Sequence, residues 1–191
     1  IWTTTPWTIP ANLAIAFHRE FIYAAVKVKK TGEVLIMAKD LVDYCMDAFG
    51  FKEYEIVDEF PGEVVEGLKA KHPFIDRESV FILAPFVTLD AGTGMVHIAP
   101  GHGAEDYEIG MEYGLDNYAP VDEDGNFTKD VEFFAGQFVF DANESVNDKL
   151  REVGALLAVG DIEHSYPHCW RCKKPIIFRS TEQWFISMEK N

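Results

Sequence analysis

Phe21-Ile22-Tyr23-Ala24-Ala25-Val26-Lys27-Val28-Lys29 runs into Lys30-Thr31-Gly32 and returns as Glu33-Val34-Leu35-Ile36-Met37-Ala38. Aromatic and β-branched residues on both sides of a glycine-containing turn are the pattern of a β-hairpin. Upstream, Leu13 to Phe17 reads as another short strand. Downstream, Asp40 to Phe49 has apolar residues at 41, 42, 45, 46 and 49, the spacing of an amphipathic helix. Asp40 stands where it can cap the start of that helix and Gly50 where it can end it. Cys45 falls on the apolar face and belongs to the core. Tyr54 to Phe60 and Val64 to Lys69 read as strands around a Pro61-Gly62 turn, and Val80 to Leu89 as a strand bent at Pro85. Glu105 to Tyr113, ended by Gly114, and Asn143 to Val153, ended near Gly154, complete the helices. Many short strands with few short helices predict a mainly β, α+β chain whose sheet closes, or nearly closes, into a β-barrel.

The chain has 191 residues, enough for one domain with a sizeable core. With 48% hydrophobic residues and 15 Phe it lies far from the composition of disordered chains. No apolar run approaches the ~20 residues that span a bilayer, and the N-terminus lacks a signal-peptide pattern, so a cytoplasmic protein without membrane contact is expected. A start at Ile1, inside a motif-like run, reads as a piece of a longer polypeptide. The formal net charge of −15 opposes autonomous binding to phosphate backbones. Basic residues gather only at Lys27, Lys29 and Lys30 and at Arg171, Lys173, Lys174 and Arg179, and each group alone reads as a solvated strand face.

Two stretches carry candidate chemistry. Residues 1 to 12, Ile-Trp-Thr-Thr-Thr-Pro-Trp-Thr-Ile-Pro-Ala-Asn, hold four Thr, two Trp and two Pro. Pro6 and Pro10 argue against a helix and predict an extended segment followed by an irregular loop. Along the extended part Thr3 and Thr5 share one face and Trp2 and Thr4 the other. Residues 92 to 107, Gly-Thr-Gly-Met-Val-His-Ile-Ala-Pro-Gly-His-Gly-Ala-Glu-Asp-Tyr, hold four Gly, two His, a Glu and an Asp. Glycine admits close approach of a ligand, so this mixture reads as one wall of a pocket whose other wall is the threonine run.

The rival chemistries fit less well. A metal-dependent hydrolase built on His97, His102, Glu105 and Asp106 matches no established ligand spacing. Gly92-Thr93-Gly94 lacks the rest of a phosphate-loop fingerprint. Cys45 reads as buried and no Gly-x-Ser-x-Gly elbow exists, which sets nucleophilic catalysis aside. Asp122-Glu123-Asp124-Gly125-Asn126 lacks the later Glu of a calcium loop and reads as an acidic hairpin turn. What remains is a metal-free pocket: Thr hydroxyls that hold a water or an ester oxygen, a neutral His97, and an ionised Asp106 that attracts an ammonium group. Those parts suit hydrolysis of an aminoacyl ester.

The two stretches, together with His-Ser-Tyr-Pro-His-Cys-Trp-Arg-Cys-Lys-Lys-Pro-Ile-Ile-Phe-Arg-Ser-Thr-Glu-Gln-Trp-Phe-Ile-Ser-Met at 164 to 188, resemble the inserted editing domain of the isoleucyl-tRNA synthetase family. The valyl and leucyl relatives typically read Thr-Thr-Arg-Pro where this chain has Thr-Thr-Thr-Pro, and lack the His of Val96-His97. The resemblance implies a β-barrel editing domain over 1–161 and a C-terminal segment over 162–191 that returns to a catalytic domain. It implies hydrolysis of valine from mischarged tRNA(Ile), the standard case in which one missing methylene discriminates too weakly and a second, hydrolytic site removes the wrong product. Carried over by motif, Asp106 holds the α-ammonium, His97 lines the side-chain pocket, and Thr3, Thr4 and Thr5 position the ester and the attacking water. Trp2, Thr8 and Asn12 are further candidates for substrate binding, and His102 and Glu105 for support.

The ATP-site signatures His-Ile-Gly-His and Lys-Met-Ser-Lys-Ser are absent from the chain, so no amino-acid activation is expected of it. The implied partners are the valine-bearing 3′ end of tRNA(Ile) and the remaining synthetase domains, with the chain itself a monomer. A non-catalytic module binding the tRNA acceptor end is the alternative reading. Editing needs no cofactor. Cys169 and Cys172 form a Cys-x-x-Cys pair, with His164 and His168 nearby; such a pair is more often half of a four-cysteine zinc ribbon, so a structural zinc is expected only in the full-length enzyme.

Overall fold

The computed structural model describes residues 1–160, 163 and 165–189. The expected boundary between 161 and 162, and His164, lie outside the described residues.

The hairpin forms as read: β2 (Ile22–Val28) pairs antiparallel with β3 (Val34–Ala38), and Gly32 turns the chain at φ 77°. β4 (Tyr54–Pro61) pairs with the other edge of β2, with a bulge after Ala25 where the partner shifts from Asp58 to Ile56. This three-stranded sheet, ordered β3-β2-β4, rests on α1 (Val42–Ala48), and Tyr23, Val26, Met37, Cys45 and Met46 fill the space between them. A mixed second sheet has the order β5-β6-β1-β7: β1 (Ala14–Phe17) runs parallel to β6 (Glu78–Leu83) and antiparallel to β7 (Val96–Ile98), and β5 (Lys69–Lys71) closes the far edge of β6. α2 (Ala104–Glu112) covers it through Ile109, packed with Ala14, Ala16, Ile82 and Ile98. α3 (Ala142–Glu152) packs on residues 6–11, where Trp7 and Ile9 join Phe127, Phe134, Val139 and Val146 in a third core.

Four expectations need correction. The barrel is not formed: both sheets are open, and β5 and β7 at three residues each are too short to carry a ladder onto the next sheet. The sheets meet instead through side chains, Phe17 and Leu83 packing with Tyr23, and single bonds tie the hairpin sheet to the loop before β7: Tyr23 Oη to the Gly94 carbonyl at 2.7 Å and Ala38 N–H to the Thr93 carbonyl at 2.8 Å. Residues Pro6–Ala11 form a 3-10 helix despite two prolines. Pro6 begins that helix, where its missing N–H has no partner to lose. Val64 to Lys69 is not a strand, since Gly62–Val65 make a 3-10 turn before β5. Asp40 lies in a 3-10 turn, Lys39–Leu41, and makes no cap bond; Leu41 precedes the first residue of α1.

The strand at 80–89 stops at Leu83, before Pro85, and Gly50, Gly114 and Gly154 follow the three helices at positive φ as read. The acidic turn is an Asx-type turn, with Asp122 Oδ1 accepting the N–H of Asp124 at 3.0 Å and of Asn126 at 2.8 Å. Among the described residues no helix is long and apolar enough to cross a membrane.

Candidate functional site

A cavity of about 410 Å³ opens between the N-terminal run and the glycine-rich stretch. Trp2, Thr3, Thr4, Thr5 and Thr8 line one side, and Gly92 to His97 with His102, Gly103 and Asp106 the other. The pairing of the two walls has a backbone cause: Trp2 bridges Val96 in parallel, and the Trp2 ring fills the space that a Cβ on Gly92 would need. Thr3 and Thr5 turn the same way, their hydroxyls 3.3 Å apart, and the Thr5 N–H donates to Thr3 Oγ1 at 3.0 Å. Thr4 is exposed.

His97 is buried on β7 and both ring nitrogens are engaged. Asn12 Nδ2 lies 2.8 Å from the Ala14 carbonyl and 3.0 Å from His97 Nδ1. A carbonyl only accepts, so Asn12 presents its NH2 to Nδ1, which must therefore be the bare nitrogen. The proton sits on Nε2, which donates to Thr8 Oγ1 at 2.7 Å, and the Thr8 hydroxyl passes its own proton to the Thr5 carbonyl at 2.8 Å. Burial pushes the imidazole down to about 3, so the ring is neutral at physiological pH. With no lone pair free, His97 can neither ligate a metal nor act as a base. It contributes a wall.

Asp106 occupies the first turn of α2. Its Oδ2 accepts the Ala99 N–H at 2.8 Å, while Oδ1 has no donor among the described residues. Burial raises its pKa to about 6, against the pull of the Ala99 bond and with a push from Glu105. The carboxylate is thus ionised at pH 7, half-buried and one oxygen short of partners, an arrangement that favours a cation.

His102 borders the same cavity, is buried neutral, and donates from Nδ1 to the Phe178 carbonyl at 3.0 Å. Glu105 lies outside the lining. Asn12 is also behind the wall rather than on it, reaching the cavity only through His97. Cys169 and Cys172 stand apart from the cavity as free thiols. They lie in a tight turn closed by Cys169 N–H to Lys174 O at 2.8 Å and Lys173 N–H to Cys169 O at 2.9 Å. N–H groups of Cys172 and Arg171 hold the Cys169 thiol below its ordinary range. Two thiols supply half of a tetrahedral set, and among the described residues no group of three or more His, Cys, Asp or Glu side chains is placed to hold a metal.

Sequence reading missed Phe86, Thr88, Asp90 and Met95 in the lining, and Ser79 behind it. Phe86 to Leu89 read as the continuation of a strand bent at Pro85, and nothing local marks that the chain beyond the bend becomes a cavity wall.

No family model matches the chain. Curated relatives match it over all 191 residues: isoleucine–tRNA ligase of Desulfovibrio desulfuricans at 60% identity, of Geobacter sulfurreducens at 59% and of Kosmotoga olearia at 54%. In each case the chain spans 20% of the relative's length. Among solved structures, GlLeuRS-CP1 superposes with a TM-score of 0.65 at 18% identity, over 84% of this chain and 83% of that one. The P. falciparum cytosolic leucyl-tRNA synthetase editing domain gives 0.61 at 12% identity, over 79% of this chain and 75% of that one. Over its whole length, then, this chain is homologous to one segment of isoleucine–tRNA ligases, carried on the fold seen in leucyl-tRNA synthetase editing domains.

Proposed function

We propose that the chain is the editing domain of an isoleucine–tRNA ligase and hydrolyses valine from mischarged Val-tRNA(Ile) without a metal. The observation that supports this most is the meeting of the threonine run, His97 and a half-satisfied Asp106 in one cavity. In this reading Asp106 Oδ1 takes the α-ammonium, and the His97 ring limits the depth available to the side chain. Thr3 and Thr5 hydroxyls hold the ester and the water.

Water oxygen adds to the acyl carbon, the acyl–oxygen bond to the terminal ribose breaks, and a water proton ends on the ribose oxygen. The products are free valine and an uncharged tRNA end. No protein nucleophile is needed, and the rate gain comes from positioning. The −15 charge weighs against autonomous tRNA binding by this chain and supports capture of the tRNA by the remaining synthetase domains. A structural zinc in the intact enzyme would take Cys169 and Cys172 plus ligands from outside the chain.

Incubating the ligase that carries this chain with Val-tRNA(Ile) and with Ile-tRNA(Ile) tests the reading. Selective loss of the valyl ester is expected. Equal lifetimes of the two esters, matching those in buffer, would overturn it and leave the acceptor-end binding module.

A further inference from the structure

Behind the His97 wall lies a hydrogen-bond chain whose every member is buried: Ser79 is 2% exposed, Asn12 5%, Thr8 6% and His97 8%. Its direction is fixed by donor and acceptor types alone. Ser79, on β6, gives its hydroxyl proton to Asn12 Oδ1. The Asn12 NH2 then faces the Ala14 carbonyl and His97 Nδ1, His97 Nε2–H faces Thr8, and Thr8 faces the Thr5 carbonyl at the cavity. The end of this chain away from the cavity is the Ser79 hydroxyl. It sits 67 residues from Asn12 in sequence, on β6, and belongs to neither of the motif stretches.

We propose that Ser79 is a positioning residue for size discrimination: by holding Asn12 it fixes His97 as the neutral Nε2–H tautomer and fixes the ring that bounds the cavity. The discrimination part of this rests on the editing function proposed above; the tautomer part does not. Without the Ser79 hydroxyl, Asn12 Oδ1 is left buried without a donor and the Ala14 carbonyl alone holds the amide; an amide that leaves that carbonyl and turns offers its oxygen to Nδ1. The ring would then take the proton on Nδ1, lose its bond to Thr8, and shift.

The test is 15N NMR of histidine in the whole 191-residue chain, with deacylation in the ligase measured beside it. Wild type should show His97 protonated at Nε2 and bare at Nδ1 from pH 5 to 8. In Ser79→Ala the Nδ1–H form should appear, and the preference for valyl over isoleucyl ester should fall about tenfold, the scale of one lost buried hydrogen bond. Ser79→Thr, which keeps the hydroxyl, should restore both. A wild-type ring protonated at Nδ1 overturns the relay even if the variants do not fold. Wild-type tautomer and wild-type preference in Ser79→Ala overturn the role of Ser79. A wild-type ligase that cuts neither ester, with His97 still Nε2–H, sinks the editing function and leaves the relay standing.

Discussion

Asp106 and His97 are perturbed in ways that make opposite demands on the protein. The Asp106 carboxyl is raised from 3.8 to about 6, so the folded chain binds its proton more tightly than the unfolded chain does. Its contribution to stability is therefore full below pH 4 and lost as pH rises through 6. Asp106→Asn keeps an acceptor for the Ala99 N–H and removes the buried charge. It should raise stability by about 1–3 kcal/mol at pH 8 and leave it unchanged near pH 3.5, read from urea midpoints. Such a gain at a side chain with an unused oxygen is what a binding residue held against stability looks like. His97 poses the reverse problem, being satisfied and inert. His97→Ala should let the isoleucyl ester be cut in the ligase while leaving Asn12 and Thr8 unpaired, costing about 1–3 kcal/mol. Unchanged ester preference would reduce His97 to packing.

At the scale of elements, the glycine wall is set by the hairpin sheet and α1, which reach it from outside the cavity. Three successive carbonyls are held: Gly92 O by the Cys45 thiol, Thr93 O by Ala38 N–H, and Gly94 O by the Tyr23 phenol. Gly94 has φ 70°, and a Cβ there would lie 2.4 Å from that of Ala38, so no other residue fits. Tyr23→Phe removes one oxygen that also accepts the His18 N–H at 2.9 Å. A loss of about 1–3 kcal/mol in chemical denaturation is expected, and a midpoint equal to wild type would show that the wall does not depend on this anchor. These anchors explain what could be read from sequence. Local periodicity placed β2, β3 and the three helices, because strands and helices announce themselves within a few residues. It could not place Tyr23 against Gly94, 71 residues away, nor Ser79 against Asn12. The 3-10 helix at Pro6 to Ala11 was hidden for a related reason: packing of Trp7 and Ile9 against α3 decides its form, and the prolines alone suggested a loop. The open sheets likewise follow from strand lengths that no motif records.

For the whole molecule, burial of neutral histidines sets the response to acid. His72, His97 and His102 are all pushed below the ordinary value, burial being the largest cause in each. A group lowered on folding contributes stability above pH 6.5 that is lost as pH falls towards its folded value, about 3 for His97. All three act in the same direction, against the trend of Asp106. The urea midpoint should therefore drop between pH 7 and pH 4.5, and a flat profile would contradict the burial of these rings. The charge of −15 has its own consequence: it opposes binding of a phosphate backbone by this chain alone, so in the proposed function the tRNA is held by other domains and this chain supplies the chamber for the acylated end. That division of labour makes the half-satisfied Asp106 carboxylate the point on which the functional reading turns. The direct measurement is the rate of valine release from Val-tRNA(Ile) by the ligase carrying Asp106→Asn, compared with wild type. Loss of a charge partner in a half-buried pocket predicts a fall of roughly 30- to 1000-fold, whereas equal rates would contradict the assignment of this cavity as the hydrolytic site.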